Sequence, residues 1–75
     1  MNINEFVEKV AEQFDDTPIE VFSPETVFKD LEEWSSLTAL SIIAMVDEEL
    51  EKRITGADIR NSNTIEDLYH LALSK

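Results

Sequence analysis

Trp34-Ser35-Ser36-Leu37-Thr38-Ala39-Leu40-Ser41-Ile42-Ile43-Ala44-Met45-Val46-Asp47-Glu48-Glu49-Leu50 decides the reading of this chain, because a pair of serines opens a long apolar run that closes on acids. At about 100° per residue, the segment from about Ser36 to about Lys52 reads as a helix with two separate apolar surfaces. Ala39, Ile42, Ile43, Val46 and Leu50 share one stripe, expected to face a core. Leu37, Leu40 and Ala44 fall opposite that stripe or on its flank, near Asp47, Glu48 and Glu51. An exposed apolar strip with an acidic margin suits the docking of a partner. In the alternative, Leu37 and Leu40 lie beneath the long segment that precedes the helix, or beneath another helix.

The serines have two readings. Serine is among the preferred residues at a helix N-cap, so Ser35 and Ser36 compete for that position. The same place exposes unpaired N–H groups and the positive end of the helix, which would stabilise a phosphate attached to a serine there. Ser36 is the candidate for such a modification.

Length bounds what surrounds this helix: 75 residues make one domain, 1–75, with a modest core. The chain is 43% apolar with a single Gly and two Pro, a composition for a compact helical domain and not for a turn-rich sandwich. Cysteine is absent, and no stretch reaches the roughly 20 apolar residues that span a bilayer. With no basic leader at Met1-Asn2-Ile3-Asn4-Glu5, a cytoplasmic location is expected. The formal charge of −11 argues against nucleic acid and anionic membranes and for basic protein partners. It also favours a monomer through self-repulsion. Between Asp30 and Glu51 the acids Asp30, Glu32, Glu33, Asp47, Glu48, Glu49 and Glu51 stand with no Lys or Arg among them. Acidity that merely keeps a small protein soluble is the plainer explanation.

Upstream, Ile3, Phe6, Val7, Val10 and Phe14 recur at helical spacing, and Asp15-Asp16-Thr17-Pro18 is expected to end that first helix. The following connection is long, but Ser23-Pro24-Glu25 predicts a short helical turn near Val27 and Phe28. Ile19, Val21, Phe22, Val27, Phe28 and Leu31 are expected to pin it as an ordered loop. Downstream, Thr55 and Gly56 open a short segment around Ala57 to Arg60, anchored by Ile54 and Ile59. Thr64 caps a last helix whose inward face is Ile65, Leu68, Leu71 and Ala72. The sum is an all-α four-helix bundle, with three main helices, a short third one, and a long ordered loop between the first and second.

Catalysis lacks its parts. A nucleophilic serine needs an oriented general base, and the one histidine, His70, sits on the last helix, where it reads as an ordinary surface residue. Metal-binding spacing is absent as well. Trp34, just before a helix, reads as a packing residue and not as a ligand-stacking platform.

Asp30-Leu31, Trp34-Ser35-Ser36-Leu37 and Ile42 to Leu50 together resemble the heart of an acyl carrier protein, and the likeness extends over nearly the whole chain. Ile54, the stretch around Asp58 and Ile59, and Thr64-Ile65-Glu66-Asp67-Leu68 are similar to the closing helices of that family. The family's attachment motif reads Asp-Ser-Leu, and Ser36 and Leu37 match its last two positions. The resemblance implies that a phosphopantetheinyl transferase moves 4'-phosphopantetheine from coenzyme A to Ser36, and that the arm holds acyl groups as thioesters. It implies docking of acyl-transferring or condensing enzymes on Leu37, Leu40, Ala44, Asp47, Glu48 and Glu51, and no catalysis by the chain itself. It further implies that Ala39, Ile42, Val46, Ile59 and Leu68 could part to shelter an acyl chain. Two departures stand out. Ser35 replaces the usual Asp, which is expected to weaken recognition by the transferase, and Leu31-Glu32-Glu33-Trp34 lacks the common Gly and runs one residue longer. Thr38 and Ser41 are neutral where fatty-acid carriers are often acidic, pointing to a specialised pathway. A non-enzymatic acidic adaptor, using the same outer face with Ser36 as a cap only, is the competing class.

Overall fold

The computed structural model describes residues 1–75 and contains four α-helices and no strand. Helix α1 spans Ile3–Ala11, α2 Ser36–Leu50, α3 Gly56–Arg60 and α4 Ile65–Leu73, with 3-10 turns at Ile19–Val21 and Phe28–Asp30 between α1 and α2. Helix α1 packs on α4 and α2, while α3 packs on α2 and α4. This is the expected bundle with a minor third helix.

Phe6, Val10, Phe28, Ile42, Val46, Ile65, Leu68 and Ala72 are fully buried at its centre. Burying each large apolar side chain contributes about 1.5–3 kcal/mol, the main force holding so short a chain together. Phe6 and Tyr69 meet with ring centroids 5.1 Å apart, joining α1 to α4, and the Tyr69 hydroxyl donates to the Met1 carbonyl at 2.8 Å. Tyr69 and Met45 are buried although neither stood out in the periodic reading.

Two boundaries differ from expectation. Helix α1 ends at Ala11 and not near Asp15, and Phe14 is buried from the turn beyond it, 5.2 Å from the ring of Phe22. Apolar periodicity therefore ran past the helix because Phe14 packs from a turn. Helix α2 stops at Leu50, because Glu51 adopts a left-handed conformation at φ 56°. The helical turn expected near Val27 and Phe28 is present at Phe28–Asp30, and Ser23 ahead of it is tied to Thr26.

The loop is ordered, but fewer side chains pin it than its apolar content predicts. Phe22 and Phe28 are buried and Leu31 half-buried, whereas Ile19, Val21 and Val27 are exposed. Polar bonds do the remaining work. The Glu33 carboxylate accepts the Asp16 N–H at 2.9 and 3.0 Å and the Thr17 hydroxyl, clasping the two ends of the loop together. Midway, Thr26 and Pro24 carbonyls accept the first N–H groups of α4, from Ile65 at 3.1 Å and Glu66 at 2.9 Å. Helix starts always leave such donors unpaired, so the loop and α4 complete each other.

Candidate functional site

The competition between the two serines is resolved by backbone geometry. Ser35 is the N-cap of α2: its φ and ψ are extended, and its hydroxyl accepts the Thr38 N–H at 3.3 Å. Thr38 is buried and in turn donates its hydroxyl to the Glu33 carbonyl at 3.0 Å. Through this chain of bonds the clasped loop fixes the start of α2. Thr17 and the amide of Asp16 also hold the Glu33 carboxyl below the usual carboxylate range, since they stabilise its charged form.

Ser36 is thereby relieved of capping. It is the first residue of α2, it is exposed, and its hydroxyl makes no hydrogen bond within the protein. The helix start around it has no acid in its first turn, so its positive end is not neutralised locally. A negatively charged ester on the Ser36 oxygen would sit beside free N–H groups without repulsion from its own helix.

Beside Ser36 lies an open groove of about 420 Å³, lined by Lys29, Trp34, Ser35, Ser36, Ala39, Leu40, Ile43, Gly56, Ile59 and Arg60. Trp34 stands in its wall and also packs edge-on against Phe28, centroids 5.3 Å apart, so packing and lining coexist in one residue. No histidine or carboxylate lines the groove. His70 is exposed on α4, 4.0 Å from Glu66.

Of the residues implied to shelter an acyl chain, Ala39 and Ile59 reach this groove, while Ile42, Val46 and Leu68 are closed into the core. On the outer side of α2, Leu37 is 75% exposed and Leu40, which also borders the groove, 61% exposed, and neither is covered by the loop. Ala44, Asp47, Glu48 and Glu51 are exposed too, so the apolar strip and its acidic margin exist on the surface. The groove residues Lys29, Gly56, Arg60 and Ile43 escaped the sequence reading as site residues. Lys29 and Arg60 carry the detectable signal, two cations in a chain that has only six.

No helix is long and apolar enough to cross a membrane, and no group of His, Cys, Asp or Glu is placed to hold a metal ion. Comparison with curated proteins and with solved structures gives no significant match. The family model for the phosphopantetheine attachment site matches residues 4–72. Its members are carriers, not catalysts, that hold a covalent 4'-phosphopantetheine and work with a phosphopantetheinyl transferase and other enzymes. A free serine hydroxyl at an uncompensated helix start, and a match that spans all four helices, lead to one conclusion: the chain belongs to the phosphopantetheine-binding carrier family, consistent with an acyl carrier protein.

Proposed function

We propose that Ser36 carries the phosphopantetheine arm and that the protein presents acyl thioesters to enzymes of fatty acid, polyketide or related biosynthesis. The observation that carries this reading is the division of labour between the serines: Ser35 caps the helix and Ser36 keeps an exposed, unbonded hydroxyl. The arm would supply a terminal thiol for acyl transfer. The chain's own contribution is to hold the serine in the open, stabilise a phosphodiester with the N–H groups of α2, and offer a docking face. No histidine or carboxylate lines the groove beside Ser36, which fits a residue modified by a separate enzyme and not a nucleophile in its own right.

Docking falls to Leu37, Leu40 and Ala44, with Asp47, Glu48 and Glu51 steering basic partners. Small apolar contacts with charged margins give fast association and ready release, and salt should weaken them. Ser35 in place of Asp keeps the cap but removes a negative charge, and neutral Ser41 leaves the front of the docking face less charged than its end, while Thr38, also neutral, is buried. Both features favour partners of a specialised pathway.

The test is intact mass after incubation with coenzyme A and a broad-specificity phosphopantetheinyl transferase, for the parent chain and for Ser36→Ala. A gain of one phosphopantetheine on the parent alone, followed by acylation that hydroxylamine reverses, is expected. A folded parent that gains nothing, even with Ser35→Asp, would instead favour a binding adaptor.

A further inference from the structure

We infer that Thr17, Glu33 and Thr38 are positioning residues for the modification, because together they decide which of the two adjacent serines is left free to receive the arm. This rests on the proposal that Ser36 carries the arm, and it concerns what selects that serine. The need for a selector lies in the sequence. Ser35 and Ser36 have the same intrinsic preference for an N-cap, and α2 has no acid in its first turn to close a box on either. Moving the cap by one residue would start the helix at Leu37. Ser36 would then adopt extended backbone, and its hydroxyl would turn to the Ala39 N–H, as that of Ser35 now turns to Thr38. Two registers with equal caps are close in free energy, so a few hydrogen bonds from outside the helix set their populations.

Those bonds run in one continuous path. The Asp16 N–H, at 2.9 and 3.0 Å, and the Thr17 hydroxyl donate to the Glu33 carboxylate across 16 or 17 positions of sequence. The carbonyl of the same Glu33 accepts the Thr38 hydroxyl at 3.0 Å. Thr38 in turn places its Oγ1 3.2 Å from the Ser35 Oγ and donates its N–H to that oxygen at 3.3 Å. Glu33 therefore ties the far end of the loop, through its side chain, to the cap, through its backbone. Between Glu33 and the helix, the Trp34 N–H donates to the Leu31 carbonyl at 3.0 Å and the Trp34 ring packs on Phe28, so little slack remains. Turning Ser36 from helical to extended backbone lengthens the chain there from about 1.5 to about 3.3 Å. That step would carry the Glu33 carbonyl away from Thr38, whose buried hydroxyl would lose its partner. The clasp thus favours the register in which Ser35 caps.

The consequence is selectivity in the transfer. The Ser36 oxygen bonds to the phosphorus next to the pantetheine of coenzyme A, the pyrophosphate bond breaks, adenosine 3',5'-bisphosphate leaves, and the hydroxyl proton passes to a base of the transferase. A hydroxyl engaged as a cap has to leave the helix start before it can react, so only molecules in the right register are competent. Thr17, at the other end of the loop, reaches the modified serine only through Glu33 and Thr38.

The experiment compares the parent with Thr17→Val and Thr38→Val, which remove a hydroxyl at nearly constant shape, and with Thr17→Ser and Thr38→Ser, which restore it. Three-bond couplings between the amide and α protons report the register before any modification, being larger for an extended Ser35 and smaller for a helical Ser36. After incubation with coenzyme A and a broad-specificity phosphopantetheinyl transferase, tandem mass spectrometry gives the share of the arm on each serine, and initial rates give kcat and KM. The parent and both Ser variants are expected to keep distinct couplings and to carry the arm on Ser36 alone. In the Val variants the two couplings should converge, with about equal populations as the limit, and Ser35 should take a measurable share. KM should rise by up to about twofold at unchanged kcat, as when only half of the molecules are competent. Amide spectra report folding, and because Thr17 lies in the clasp and Thr38 in the helix, either variant decides if the other unfolds. Folded Val variants that keep the parental couplings, or that still carry the arm on Ser36 alone, would overturn the selection. A parent that takes no arm would count against Ser36 as the attachment site, while the couplings would still decide whether the clasp sets the register.

Discussion

The four helix starts of this protein fall into two kinds. Helices α1, α3 and α4 each close their N-terminus with a reciprocal box, in which Asn2, Thr55 and Thr64 cap and Glu5, Asp58 and Asp67 bond back to the cap's own N–H. Helix α2 has a cap, Ser35, but no returning acid, and Thr38 occupies the place where the acid would stand. Three starts are finished by the chain's own carboxylates, and the fourth has no carboxylate in its first turn. In a protein with 17 acidic residues this is not for want of acids. On the proposal that Ser36 carries the arm, the difference separates a helix end that serves stability from one arranged around a modified serine.

Loss of core packing should have the largest effect on stability, and loss of a closed start the next. Phe28→Ala removes a fully buried ring that supports Trp34 and the loop beneath the open start. A loss of about 3–5 kcal/mol is expected in denaturant unfolding, enough to leave so small a domain largely unfolded. Next comes Thr64→Ala, which removes the oxygen that accepts the Asp67 N–H at 3.0 Å and should cost about 1 kcal/mol. For a chain of this length that is about 4–8 °C in Tm by calorimetry. Ser36→Ala should melt with the parent, and a comparable loss there would erase the distinction between the two kinds of start.

Acid separates them as well. Asp58 is held below the usual range by the Thr55 N–H and by Lys75, and Asp67 by the N–H groups of Thr64 and Asn63. Because these carboxyls ionise more readily folded than unfolded, their stabilisation is complete above the unfolded value of about 4. It is lost as pH falls through the lowered folded values. Urea midpoints measured from pH 6 down to pH 2.5 should therefore fall steeply below about 4. Asp67→Asn should flatten that fall, and Ser36→Ala should leave it unchanged. The smallest effect is expected from converting the open start toward a charged one. Ser35→Asp should stabilise the unmodified chain by about 0.3–1 kcal/mol at low salt, with the gain shrinking as salt is added.

Much of this arrangement is legible in the residues. Thr55 and Thr64 were legible as helix starts, and the structure adds that each is closed by the acid three residues on, Asp58 and Asp67. Angle set Leu37 and Leu40 apart from the core stripe, and their exposure in the structure decides against burial beneath the loop. Two things were not legible, for physical reasons. Ser35 and Ser36 have equal local propensity to cap, and the choice is made by Thr38 reaching the Glu33 carbonyl, which depends on how the loop is clasped. The groove is assembled from the loop, α2 and α3, so Lys29 and Arg60, separated by 31 positions, carry no joint pattern in the sequence. Glu51 shows the reverse case: a non-glycine residue ends α2 in a left-handed conformation that its sequence position does not advertise.

The central claim is that of two adjacent serines, the capping one is structural and the free one is modified. Fragmentation of the modified chain's peptide containing Trp34 to Leu37, read by tandem mass spectrometry, tests it most directly. The account predicts phosphopantetheine on Ser36 with Ser35 unmodified. Phosphopantetheine on Ser35, or on a residue outside this pair, would contradict it.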